Sequence, residues 1–294
     1  MSFDELIPLE EKEVIEDDGG AEPSDELTEK WGVKTGQIWQ LGNHRVMCGD
    51  STNGEQVAKL MNKEKADLCF TSPPYGLGKS VKLSGNKFMS AKSNAYDLHE
   101  DTSDQWASLM SKWFQVSQKA VSKAWTINIQ MLAGNKRDLI KFIGDQVSNL
   151  VDIITWDKGH AAPQMAKGVL TSAYEWIIVL SSQQNASRTI PLSSWHGNVK
   201  NIYAGPPQRQ NKFAKIHAAT MPIHVPFWVL NTLCDLSESI YDPFLGSGTT
   251  LIACEQLDRR CFGMEISPQY VAVIIDRWAT FTGKTPELID NGEA

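Results

Sequence analysis

The stretch Asp242-Pro243-Phe244-Leu245-Gly246-Ser247-Gly248-Thr249-Thr250 reads as the end of a strand, a glycine turn and the opening of a helix. Glycines in such a turn let backbone N–H groups approach a nucleotide-like cofactor at a helix N-terminus. Far upstream, Thr71-Ser72-Pro73-Pro74-Tyr75 follows the apolar run Ala66-Asp67-Leu68-Cys69-Phe70. It puts a hydroxyl, a stiff Pro-Pro backbone and an aromatic face at the end of a buried strand, which suits a planar, amine-bearing ring. Taken singly, the glycine turn is as readily an ordinary strand-to-helix connection, and an isolated Ser-Pro-Pro-Tyr a linker or polyproline ligand. Together in one chain they point to an enzyme with a nucleotide-like cofactor.

The pattern around these two stretches is one of alternating strands and helices. Residues 36–50 read as a hairpin turning at Gly42-Asn43 and ending in Asp50, with a helix over 56–62 behind it. After the strand at 67–71 comes a polar segment, 76–104, carrying Lys79, Lys82, Lys87 and Lys92. A helix over 105–122, strands at 124–129, 151–156 and 175–180, and a helix over 136–148 follow. Residues 181–215 break the pattern and scatter Arg188, Trp195, His196, Lys200, Arg209 and Lys212 among Asn, Gln, Ser, Pro and Gly, too irregularly for a core. Regularity returns with a helix over 222–234, a strand at 239–241, a helix through Leu257, a strand at 261–265 and a helix over 268–282. Such alternation makes an α/β sheet covered on both faces.

The 294 residues, 41% of them apolar, suffice for one large domain. No apolar run approaches a membrane span, and the acidic N-terminus lacks the regions of a signal peptide, so the expected compartment is the cytoplasm. Five cysteines, Cys48, Cys69, Cys234, Cys254 and Cys261, lie mostly in apolar runs without C-x-x-C spacing and read as core thiols; no metal site is expected. The net charge of −7 argues against a nucleic-acid partner only until its distribution is considered. Residues 1–30 hold twelve Asp or Glu against two Lys, leaving 23 acidic and 26 basic side chains in residues 31–294. The first 30 residues read as a disordered acidic tail, either simply solvated or competing with nucleic acid for a basic groove. Residues 31–294 read as the catalytic domain.

Within that domain Glu265 ends the strand after the glycine turn, where a doubly wound sheet puts the acid that holds a ribose diol. The alternative is a surface carboxylate capping the next helix. Asp242 ends the preceding strand and either contacts the cofactor or braces the turn. Tyr75 is a stacking face for a base or a half-buried core tyrosine.

These residues resemble the S-adenosylmethionine-dependent amino-methyltransferases of DNA, which modify adenine N6 or cytosine N4. Thr71-Ser72-Pro73-Pro74-Tyr75 is similar to that family's catalytic motif, and Asp242 to Gly248 to its cofactor loop. Gly263-Met264-Glu265-Ile266 resembles the ribose-binding strand, and Lys215-Ile216-His217-Ala218-Ala219-Thr220-Met221-Pro222 the segment beside the cofactor's methionine end. The catalytic motif comes first, as in the circularly permuted group called beta, and unlike the similar protein glutamine methyltransferases.

The resemblance implies a Rossmann-like, seven-stranded, mostly parallel sheet with one reversed strand. It implies catalytic roles for Ser72, Pro73, Pro74 and Tyr75. It also implies S-adenosyl-L-methionine binding by Asp50, Thr71, His217, Asp242, Phe244, Gly246, Ser247, Gly248, Thr249 and Glu265. The irregular insert at 181–215 stands where target recognition is expected, so Lys79, Arg188, Lys200, Arg209 and Lys212 are candidates to touch double-stranded DNA, or are solvated surface charges. Serine at position 72, where the commonest adenine pattern has Asp, tilts the target toward cytosine. The 44–50 and 259–265 stretches instead resemble methyltransferases often labelled adenine-specific. A homodimer and a cognate restriction endonuclease are the partners the resemblance implies. A catalytically silent DNA-binding decoy, or methylation of RNA or protein, are the competing functions.

Overall fold

The computed structural model describes residues 13–17, 20–75, 103–132, 134–159, 167–185, 187–190, 199–207, 221–234 and 238–292. In chain order the elements are α1 (Asp25–Trp31), β1 (Ile38–Leu41), β2 (His44–Cys48), α2 (Gly54–Met61), β3 (Ala66–Thr71), α3 (Ser103–Ala120) and β4 (Val121–Ile129). Then come α4 (Lys136–Asp145), β5 (Leu150–Asp157), β6 (Tyr174–Ser181), β7 (Ile202–Ala204), α5 (His224–Leu233) and β8 (Ile240–Asp242). The last four are α6 (Thr249–Gln256), β9 (Cys261–Glu265), α7 (Pro268–Thr282) and β10 (Glu287–Asp290).

All the strands join one sheet in the order β10-β1-β2-β9-β8-β3-β4-β6-β5-β7. From β2 to β4 every neighbouring pair is parallel, whereas β6 is antiparallel to both β4 and β5. The seven strands β2 to β5 are therefore the expected mixed sheet with one reversed member. Three short strands extend it, β1 and β10 on one edge and β7 on the other.

Side-chain alternation along the strands divides the core in two. Leu68 and Phe70 of β3 face a cluster built on α5, α6 and α7, through residues such as Val229, Leu251 and Ile275. Cys69, between them, faces α2, α3 and α4, through Leu60, Trp113 and Leu139. All five cysteines are buried free thiols, as their apolar settings implied. Among the described residues no helix is long and apolar enough to cross a membrane.

The expected disordered tail needs correction where residues 13–30 are described. Asp17 meets Arg277 of α7 through two carboxylate hydrogen bonds, 2.5 and 2.8 Å, with both side chains under 10% exposed. The Ile15 backbone pairs with the Gln256 amide in both directions, at 2.9 and 2.7 Å. Ser24 caps α1 by accepting from Leu27 N, and Lys30 and Trp31 both reach Asp276 of α7. Composition reads this run as solvated because it is acidic, but one of its carboxylates answers a buried arginine. Residues 1–12, 18 and 19 lie outside the described residues.

The irregular insert also needs correction, since it contains β7. Tyr203 anchors that strand by stacking on Trp228 of α5, with centroids 4.6 Å apart, and by a 2.9 Å hydrogen bond to His224 Nδ1. Three residues with one anchoring ring are too few to show a strand's periodicity.

Candidate active site

Six strands of the seven run the same way, so their C-terminal ends line one edge of the sheet. The reversed strand β6 brings its N-terminal end to that same edge. The strand order therefore sets Asp50 (after β2), Glu265 (β9), Asp242 (β8), Thr71 and Ser72 (β3), Asn128 (β4), Glu175 (β6) and Lys158 (after β5) in a row.

At one end of this row the glycine loop is sewn to β9. Leu245 N donates to Met264 O at 2.9 Å, and Gly246 N to Glu265 Oε2 at 3.0 Å. Gly263 makes the approach possible, because a Cβ there would clash with the buried Leu245 Cδ2. Gly246 and Gly248 hold φ of 55° and 88°, the left-handed region that glycine enters without strain. Ser267 N donates to the other Glu265 oxygen at 2.9 Å. Burial pushes the Glu265 carboxyl up to about 7, although the amide hydrogen bonds pull the other way. Each carboxylate oxygen has two lone pairs, so these bonds leave Glu265 able to accept from a sugar hydroxyl. Both of its amide contacts lie within the site, so it is not a surface cap.

Asp242 is buried and braces the turn. Its Oδ1 accepts from Phe244 N at 3.0 Å and from Thr71 Oγ1 at 2.8 Å, which ties the cofactor loop to the catalytic strand. Burial raises its carboxyl to about 6, opposed by bonds from Thr250, Thr71 and Phe244. Asp50, half-buried, accepts from Thr52 N and Oγ1 at 2.8 Å, and its preceding residue Gly49 donates to Glu265 O. Phe244 meets Trp113 edge-on at 5.7 Å. Ser247 and Thr249 turn their hydroxyls toward Arg277 Nη1, at 3.3 and 3.2 Å, and the Ser247 carbonyl accepts from the same nitrogen. Their side chains thus support the loop from behind.

At the catalytic motif Pro73 is buried, and the Pro74 carbonyl accepts from Trp106 Nε1 of α3 at 2.6 Å. Half-buried Tyr75 packs against the core and sends its phenol to Glu175 Oε2 at 2.8 Å. Ser72 Oγ lies 3.3 Å from the Tyr75 hydroxyl. Lys158 pairs with the other oxygen of Glu175 at 2.6 Å, and Asn128 Nδ2 donates to Glu175 Oε2 at 2.7 Å.

Sequence reading missed Asn128, Lys158, Glu175, Asp17 and Arg277. A carboxylate heading the apolar run Trp176-Ile177-Ile178-Val179-Leu180 and an arginine inside the apolar face of α7 were the available signals. Of the DNA-contact candidates, Arg188 is held by Asp152 of β5 at 2.5 Å, and Lys200 is exposed. Lys79, Arg209, Lys212 and His217 lie outside the described residues.

A family model described as DNA methylase matches residues 66–276. The chain is 28% identical over 130 residues to the Type II methyltransferase M.Cfr9I of Citrobacter freundii, covering 42% of each protein. Over 221 residues it is 21% identical to M2.DpnII of Streptococcus pneumoniae, covering 72% of this chain and 82% of that one. Among solved structures, the cytosine-N4-specific PvuII DNA methyltransferase superposes with a TM-score of 0.58 at 19% identity, covering 83% of this chain and 90% of that chain. A DNA modification methylase of Thermus thermophilus in complex with S-adenosyl-L-methionine gives 0.53 at 16% identity, covering 81% and 95%. Both have the same fold as this chain. The chain belongs to the N6/N4 DNA methylase family of S-adenosylmethionine-dependent DNA amino-methyltransferases.

Proposed function

We propose that this enzyme methylates the exocyclic amine of a base flipped out of double-stranded DNA, with cytosine N4 favoured by Ser72. The observation that carries the reading is the 2.8 Å bond from Thr71 to Asp242, which couples the strand of the catalytic motif to the cofactor loop. Bound S-adenosyl-L-methionine would supply an electrophilic methyl group. Glu265 and the amides of the glycine loop fit its ribose and nucleoside end, and Asp50 and Phe244 line the same edge.

The chain's own residues then have to present the amine. A ring amine is a weak nucleophile because its lone pair is delocalised into the ring. Acceptors on its two hydrogens draw density back to nitrogen, and Ser72 Oγ and the Pro73 carbonyl are the two at hand. Tyr75 offers a ring face that offsets the few kcal/mol of unstacking. Lys200 and the basic candidates outside the described residues are the proposed phosphate contacts.

The complete set of site residues favours catalysis over a silent decoy. On this reading the enzyme works in the cytoplasm of a bacterial or phage-infected cell, as a homodimer or beside a cognate endonuclease, and sedimentation with and without DNA tests the former. The substrate class is tested by following tritium from labelled S-adenosyl-L-methionine into duplex DNA, RNA and protein. Label confined to DNA supports the reading; label in RNA or protein instead contradicts it.

A further inference from the structure

We propose that Glu175 is a positioning residue that sets, through Tyr75, the direction in which Ser72 carries its hydroxyl proton. The inference rests on the proposed role of Ser72 as an acceptor for the target amine. A serine hydroxyl can donate or accept, and only a proton turned away from the base leaves its lone pairs free to receive the amine hydrogen.

The chain of contacts fixes that choice. Glu175, paired with the Lys158 ammonium at 2.6 Å, is a carboxylate, and its oxygens only accept. The single phenol proton of Tyr75 is therefore committed to Glu175 Oε2 at 2.8 Å. Asn128 must turn its NH₂ side to the same oxygen, at 2.7 Å, and from there also reaches the Tyr75 oxygen at 3.4 Å. With its proton spent, Tyr75 can only accept from Ser72, whose Oγ lies 3.3 Å away. A contact that long orients more than it binds, and such bonds tighten once substrate is in place. The polarity runs from Ser72 to Tyr75 to Glu175 and ends on Lys158. Removing the charge on Glu175 frees the phenol to donate to Ser72, which takes up one serine lone pair and releases the serine proton toward the base.

A double-mutant cycle tests this. Methyl transfer to duplex DNA is timed for the full chain, for Glu175→Gln, for Tyr75→Phe, which keeps the ring face, and for the double variant. Cofactor affinity and Tm are measured alongside. The expected result is a kcat loss of about tenfold or more in Glu175→Gln with cofactor Kd within about twofold, and no further loss when that change is added to Tyr75→Phe. Multiplying effects would overturn the inference, because Glu175 would then act by a route other than Tyr75. If Glu175→Gln misfolds with Lys158 left unpaired, the same cycle with Glu175→Gln and Lys158→Met together removes both charges and decides by the same criterion. Failure of the wild-type chain to label DNA would break the functional reading, whereas labelling with multiplying effects would break this inference alone.

Discussion

Gly246 and Ser72 follow neighbouring strands, yet the loop carrying Gly246 is held by backbone and the one carrying Ser72 by side chains. Leu245 and Gly246 are fixed by their amides, on Met264 O and Glu265, and Phe244 by its amide on Asp242. Around Ser72 the holding groups are Tyr75, Asn128, Glu175 and Lys158, drawn from β3, β4, β6 and the end of β5. Backbone holding depends on short-range glycine and proline choices, so it is written in a compact motif. Side-chain holding depends on strand order, which brings together residues far apart in the chain.

The comparison breaks most visibly if the two halves cannot be separated by mutation. Ser72→Ala or Tyr75→Ala is expected to lower turnover about 100-fold or more while cofactor Kd stays within about twofold. Calorimetric titration with the cofactor, run beside the rate assay, checks the split. Glu265→Ala removes a charged acceptor worth about 1.5–3 kcal/mol, so cofactor Kd should rise by roughly one to two orders of magnitude. Equal losses of Tm in all three variants would mean that both ends serve folding alone.

The pH dependence sharpens the same distinction. Burial raises Glu265 to about 7, so below that pH a hydroxyl-accepting carboxylate must first lose a proton. Cofactor affinity should weaken as pH falls from about 8 to about 6, by up to about tenfold per unit, in equilibrium binding. Without cofactor the same shift acts oppositely on folding. The native state keeps a proton that the unfolded chain has lost, so this group's contribution is greatest below the ordinary glutamate value and disappears as pH rises through about 7. A flat affinity profile would remove Glu265 from the cofactor contact. The smallest expected effect is that of Gly263→Ala, whose Cβ would press on Leu245 and cost about 1–3 kcal/mol. Urea unfolding measures it, with weakened cofactor binding as the companion signal.

Legibility in the sequence follows the same division. The strand Cys261–Glu265 and the helix Pro268–Thr282 were read with their observed bounds, since Pro268 starts the helix and Gly283 closes it. The seven-strand core and the cofactor loop followed from motifs and their order. The edge strands β7 and β10 were missed because they are three and four residues long and mostly exposed, with no apolar alternation to betray them. The N-terminal strap was misread because charge composition does not reveal a buried partner such as Arg277. Glu175 and Lys158 escaped for want of strand order.

The central claim is tested most directly by long-read sequencing of DNA from a methylation-deficient host expressing this chain, beside a Ser72→Ala control. The account predicts a sequence-specific N4-methylcytosine signal in the wild-type sample only. Unmodified DNA from a wild-type protein shown to bind S-adenosyl-L-methionine would contradict it.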